Sequence, residues 1–223
     1  MVELKAPQVS VIIAAYNQEK FIGRCLRSLL HQSIPHRDYE IIVVNDGSED
    51  LTQYAISQFI DPFDSLVKVI QNESNLGLPI SLNRALKSSN AEWVVRVDAD
   101  DYVNFNFLLF LSFYLSFNSA SAVACDYFLV DDKEEVLKRC CSLDEPIACG
   151  IMFRKKCLFD IGLYDENFLS NEDKDLKLRF EAKYKVDHLN LPLYRYRKHA
   201  TNMTNNEDRM KHFDVVLKDK HGL

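Results

Sequence analysis

Four places in the sequence gather side chains able to do chemistry: Asp46-Gly47, Asp98-Ala-Asp-Asp101, Glu172-Asp173 and the cationic run Arg195-Tyr-Arg-Lys-His199. The second follows Val94-Val-Arg-Val97 directly, so a strand delivers several carboxylates to its end, more than Arg96 alone is expected to pair. That surplus calls for a cation. Hard divalent ions such as Mg²⁺ or Mn²⁺ take carboxylate oxygens and complete their shells with phosphate oxygens. The plainer reading is an acidic turn that caps the next helix. Glu172-Asp173 follows Ser170-Asn171 and opens a helical pattern, which on its own reads as an N-capped helix whose dipole favours acids by about 0.3–1 kcal/mol. Asp46-Gly47 on its own is a tight turn, and a charge run such as Arg195 to His199 is ordinarily a solvated loop.

The elements that must position these residues can be read from periodicity. Val9–Ala15 is a short β-branched run, and Phe21, Ile22, Cys25, Leu26, Leu29 and Leu30 follow at helical spacing. Glu40–Val44 is a second strand ending in the turn cluster Asn45-Asp-Gly-Ser48, with a helical pattern through Ala55, Ile56, Phe59 and Ile60. Leu66–Ile70 predicts a third strand, Pro79 to about Lys87 a helix, and Trp93–Val97 a fourth strand. Strand and helix in alternation imply right-handed crossovers and a parallel sheet covered on both faces. Ligands of such sheets sit at the strand C-terminal ends. Tyr16-Asn17, Asn45-Asp46-Gly47 and Asp98 to Asp101 occupy three of those ends, so one crevice is expected. Beyond Asp101 the pattern is mixed: a helix over 104–117, strands at Ala122–Val130 and Ile147–Phe153 with an acidic turn at Asp131–Glu135 between them, a helix at Glu172–Ala182, and short strands at Val186–Leu189 and Leu193–Tyr196.

Composition excludes several classes. With 27 Lys+Arg against 33 Asp+Glu the chain carries a formal charge of −6, which argues against nucleic acid as a partner. The N-terminal run lacks the features of a signal peptide, and the most apolar stretch, Phe105–Phe117, is shorter than the ~18–20 residues a membrane span needs. The six cysteines include no CxxC pair, so reduced thiols and a cytoplasmic location are expected, and zinc is not.

Val9 to Asn17, Glu40 to Ser48, Asn75-Leu-Gly77, Ser81-Leu-Asn83 and Val97 to Asp101, in this order and spacing, resemble the motifs of the family 2 glycosyltransferases. The resemblance continues through Phe153 to Gly162, Asp165-Glu166, Glu172-Asp173 and Tyr196 to His199. It implies a GT-A fold: an α/β, Rossmann-like domain of the nucleotide-diphospho-sugar transferase type, with a central, mostly parallel sheet flanked by helices. It also implies inverting transfer from a nucleotide sugar. One domain over 1–223 is expected, with a nucleotide-sugar half (1–101), an acceptor half (102–204) and a helical tail (205–223).

Carried over by position, the resemblance places Ala15, Tyr16, Asn17 and Glu19 around the nucleoside and Asp46 against the base, with Asn83, Asp98 and Ala99 completing the donor contacts. A carboxylate at Asp46 accepts the N3 hydrogen of uracil or thymine and also guanine N1, so a UDP-sugar is favoured while GDP- and dTDP-sugars stay open. Asp100, with Asp98 and His199, is the implied ligand set for Mn²⁺ or Mg²⁺, and Asp173 matches the general base. The cationic run is expected to form a flexible loop over the diphosphate. The implied acceptor is a glycan or lipid-linked hydroxyl in surface polysaccharide or lipopolysaccharide assembly. Peripheral attachment at the inner membrane face and homo-oligomerisation are left open. The chain departs from the family pattern at Ala14, Asn45, Leu82 and Leu163, where relatives often carry Pro, Asp, Arg and Gly, and Asn83-Arg84 offers partial compensation for Leu82. The alternatives are a non-catalytic nucleotide-sugar-binding subunit and a phosphatase with paired aspartates. The phosphatase is disfavoured because its motif belongs on the first strand.

Overall fold

The computed structural model describes residues 6–61, 66–200, 202 and 207–222. The first half alternates β1 (Val9–Ala15), α1 (Ile22–Leu30), β2 (Tyr39–Asn45), α2 (Thr52–Ser57), β3 (Val67–Gln71), α3 (Leu78–Ser88) and β4 (Trp93–Arg96). The four strands lie in the order β3-β2-β1-β4, all parallel, with Val9 opposite both Tyr39 and Trp93. Both faces of this sheet are covered, which is why its strands read as continuous apolar runs. Val9, Val11 and Ile13 pack on the face that receives Cys25, Leu26 and Leu29 of α1. Ile12, Ile42 and Val44 face Leu82, Ala85 and Leu86 of α3. Ser10 and Glu40, polar residues within the runs, satisfy each other: the Ser10 hydroxyl donates to Glu40 (2.7 Å), which also accepts from Lys68 and from the Asn90 backbone N–H.

The second half adds β5 (Tyr102–Val103), α4 (Phe107–Phe117), β6 (Ala122–Val130), β7 (Val136–Cys140), β8 (Ile151–Arg154), α5 (Lys155–Asp160), α6 (Glu172–Glu181), β9 (Val186–Arg197) and α7 (Glu207–His221). The sheet continues from β4 as β8-β6-β9-β5, with β7 paired to β6. β8 runs antiparallel to β4 and β6, whereas β9 runs parallel to β6. Among the described residues no helix is long and apolar enough to cross a membrane.

Three expectations change. The acidic turn at 131–135 joins β6 to β7, a mostly exposed hairpin strand that carries no apolar pattern to announce it. The strand expected from Ile147 begins only at Ile151, because Gly150 takes a left-handed backbone (φ +71°) and turns the chain there. The two short strands near the C-terminus are one, β9, which shifts its register against β6 on both sides of Asp126. Leu163, where relatives carry glycine, adopts φ +63° with its side chain buried, a conformation that glycine reaches without strain.

Gly47 is required by a close approach. Its φ is +68°, and a Cβ there would lie 2.4–2.7 Å from the backbone of Ser74 and Asn75. Gly47→Ala should therefore lower stability by at least about 1–3 kcal/mol, read as a drop in the urea midpoint at constant m-value. An unchanged midpoint would show that the two loops do not press together.

Candidate active site

The C-terminal ends of β1, β2 and β4 open on a crevice of about 910 Å³ whose far wall is the start of α6. Ala15, Tyr16, Asn17, Asp46, Asp98, Ala99, Asp100 and Asp173 all line it. Residues up to 158 positions apart in the chain are thereby brought to one cavity. The topology accounts for this, since parallel strands present every C-terminal end on the same edge.

At the end of β2, Asp46 is buried and holds the loop below it. Its Oδ1 accepts from Asn72 Nδ2 (2.6 Å) and the Leu76 N–H (2.9 Å), and its Oδ2 accepts from the Gly77 N–H (2.9 Å). Arg84 donates to Asn72 (2.6 Å), so the cation next to Leu82 supports Asp46 through an intermediary. Leu82 itself is fully buried. Asn17 sits in the left-handed region (φ +53°), and its Oδ1 accepts from the Glu49 N–H, tying the β1 end to the β2 loop.

The acidic end of β4 differs from expectation, because each of its carboxylates has a protein partner. Arg96, buried inside an apolar strand, donates to both oxygens of Asp98 (2.7 and 3.2 Å) and to Glu172 (3.0 Å). Asp101 accepts from the Tyr194 hydroxyl and the Arg197 N–H, both at 2.7 Å. Asp100 meets His199 Nε2 at 2.9 Å. Burial pushes the Asp101 carboxyl well up, and the charges on Asp100 and Asp98 push it further. Burial also raises Glu172, partly offset by Arg96. Burial works against the Arg96 charge, but Asp98 and Glu172 keep the guanidinium firmly protonated.

Two groupings near the crevice bring possible cation ligands together. Asp98, Asp101 and Cys149 bring ligand atoms within 4.8 Å of one another, but burial and Asp98 push the Cys149 thiol well above its ordinary range. A protonated thiol beside two engaged carboxylates does not suit Mg²⁺ or Mn²⁺. Asp100, which lines the crevice, offers the kind of carboxylate oxygen that such ions take, and His199 Nε2 lies 2.9 Å from it.

Three expected site residues lie elsewhere. Asn83 spends both ends of its amide on the second half, donating to the Tyr164 carbonyl and Glu166 and accepting from the Tyr164 N–H, and it does not line the crevice. Glu19 accepts from the Leu51 N–H just ahead of α2, away from the crevice lining. His199 does not line the crevice itself and reaches it through Asp100. The cationic run is strand as far as Arg197, with Lys198 and His199 beyond its end. Arg195 and Arg197 belong to β9, and Arg197 is buried, donating to the Asp100 carbonyl and to Glu134. Of the residues beyond, Asn202 lines the crevice, while 201 and 203–206 lie outside the described residues. Asn171 does not cap α6 with its side chain. It adopts φ +59° and donates to Asp214 of α7.

A four-stranded parallel sheet with an aspartate-lined crevice at its C-terminal edge, extended by a mixed half, defines the GT-A fold. The Glycosyl transferase family 2 model matches residues 10–159, and the chain belongs to that family. It is similar to the poly(ribitol-phosphate) beta-glucosyltransferase of Bacillus spizizenii, 38% identical over 103 residues, which cover 46% of this chain and 16% of that protein. The structure of Staphylococcus aureus TarS in complex with UDP-GlcNAc superposes with a TM-score of 0.76 at 25% identity, covering 89% of this chain and 61% of that one. The mannosyltransferase PcManGT from Pyrobaculum calidifontis, in complex with GDP-Man and Mn²⁺, shares the fold with a TM-score of 0.77 at 19% identity, over 97% and 64% of the two chains. The chain thus spans less than two thirds of the length of each of these relatives.

Sequence reasoning missed Arg96 and Glu172 as a pair. The available signal was an arginine inside an apolar strand, a residue type that is almost never fully buried without a partner. Removing one member of a buried ion pair costs about 3–5 kcal/mol. Arg96→Met should therefore cost this much in chemical denaturation, whereas Lys174→Met on the exposed side of α6 should cost less than about 1 kcal/mol. Equal effects of the two substitutions would remove Arg96 from its central place.

Proposed function

We propose that the chain transfers a glycosyl group, with inversion, from a nucleotide-diphosphate sugar to a hydroxyl of a glycan or lipid-linked acceptor. A UDP-sugar is the favoured donor. The supporting observation is that Asp46, Asp98, Asp100 and Asp173 line one crevice. In this reading residues 1–101 hold the donor, 102–204 shape the acceptor side, and 205–223 form a tail on the base-bearing helix.

The nucleoside lies over Ala15, Tyr16 and Asn17, and the base donates its ring N–H to Asp46, whose Oδ2 receives a single protein donor among the described contacts. Asp98, fixed by both its oxygens on Arg96, faces the ribose through its remaining lone pairs. Asp100 with His199 is the proposed holder of a divalent cation, Mn²⁺ or Mg²⁺. When bound, such an ion stabilises the negative charge that builds on the leaving diphosphate. Asp173 takes the proton of the acceptor hydroxyl as that oxygen bonds to the anomeric carbon from the face opposite the diphosphate. The bond from that carbon to the phosphate oxygen breaks, and its electron pair leaves with the nucleoside diphosphate. Glu172 stays on Arg96 and keeps the start of α6 against the donor half.

The likeness to TarS, crystallised with UDP-GlcNAc, supports a UDP-sugar, and the poly(ribitol-phosphate) transferase supports a surface-polymer setting. The test uses purified protein with a panel of UDP-, GDP- and dTDP-sugars and Mn²⁺. Asp173→Asn should lower transfer or donor hydrolysis by about 10²–10⁴-fold while nucleotide affinity is retained. Unchanged turnover removes Asp173 as base. In the same assay Asp100→Ala should abolish the gain in nucleotide affinity that the metal confers, and a gain equal to that of the parent chain would remove Asp100 as its ligand.

A further inference from the structure

The second half carries a group of ligating side chains that the crevice does not use. Asp126 lies on β6 at the point where the β6–β9 register shifts, His188 lies on β9, and Cys141 directly follows β7. His188 Nε2 is 2.8 Å from Asp126 Oδ1 and 3.9 Å from Cys141 Sγ. The three ligand atoms all lie within 4.8 Å of one another. None of the three residues lines the crevice.

We propose that Asp126, Cys141 and His188 form a zinc site. The donor set is one carboxylate oxygen, one imidazole nitrogen and one sulfur, a borderline-soft combination that suits Zn²⁺ far better than Mg²⁺ or Mn²⁺. Tetrahedral zinc with bonds of ~2.0–2.3 Å sets its ligand atoms roughly 3.3–3.6 Å apart. The present spacings bracket that range, so small side-chain movements seat the ion. The surroundings are those of a supported site. Asp126 is buried, its Oδ1 also accepts from the Ser142 N–H (3.1 Å), and its Oδ2 accepts from Arg139 (3.1 Å), which in turn donates to Asn190 on β9. Outer contacts of this kind orient a ligating carboxylate. On binding, Cys141 gives its thiol proton to solvent, and Nε2 of His188 binds the ion with the ring proton on Nδ1. Three protein ligands leave the fourth position to water.

The site has a structural consequence for the crevice. Cys141 begins the segment that runs to Gly150, and Pro146, Ile147, Ala148 and Cys149 within it line the crevice. Zinc would join β6, β9 and the root of this segment at one point. The ligands are spread over positions 126, 141 and 188, so no cysteine spacing reveals them, and zinc was not expected from the sequence.

The test uses the full chain, freed of metal by a chelator and then given one equivalent of Co²⁺. Wild type should show a thiolate-to-cobalt charge-transfer band in the near ultraviolet and the strong visible bands of tetrahedral cobalt. Cys141→Ser should lose the charge-transfer band, and Cys157→Ser and Asp100→Ala should keep it. His188→Gln, which serves if Cys141→Ser does not fold, should weaken Zn²⁺ binding by at least about 100-fold in competition with a chromophoric chelator, since even supporting contacts are worth 10–100-fold. No charge-transfer band in wild type, or a band that survives Cys141→Ser, overturns the site. Loss of the band in Asp100→Ala would assign the ion to the crevice instead.

Discussion

A buried guanidinium is the constraint on which the rest of this structure depends. Arg96 leaves water inside a parallel sheet, and the cost of that desolvation is offset by two carboxylates from opposite halves of the chain, Asp98 and Glu172. Asp98 is the first acid of the β4 end and Glu172 is the first residue of α6. One side chain therefore sets the distance between the donor wall and the helix that carries Asp173. Replacing the arginine by an apolar residue of similar size would fill the space and lose the register between the two halves.

The other contacts around the crevice reinforce that register from its edges. Asn83 bonds across to Tyr164 and Glu166, so α3 is tied to the loop before α6. Asp175, one turn into α6, is fully buried and takes Arg179, Lys220 and His221, which pins α7 against the same helix. Glu134 at the β6–β7 turn receives both Arg24 and Arg197, and Arg197 also donates to the Asp100 carbonyl. Charge-assisted contacts from α6, α7, β9 and the β6–β7 turn thus hold the surroundings of the crevice.

How much of this the sequence disclosed depends on whether the signal was local. β1 and β6 were legible to the residue, because a buried strand between turn signals has a composition of its own. β7 was not, since Val136 and Leu137 are exposed on an edge and nothing in their spacing distinguishes strand from loop. The crevice was legible from the strand ends and from family motifs. The partners of its acids were not: Tyr194, Arg197 and His199 stand 93 to 99 positions from the aspartates they meet, and only the β5–β9 and β6–β9 pairings bring them there. The partners of Asn83, expected at the donor, were hidden for the same reason, standing 81 and 83 positions away.

The charge lining the crevice has a kinetic corollary. Asp46, Asp98, Asp100, Glu172 and Asp173 outnumber Arg96 and Lys174 on its walls, so the cavity is formally anionic. A free diphosphate meets a repulsive field there. That repulsion weakens as ionic strength rises.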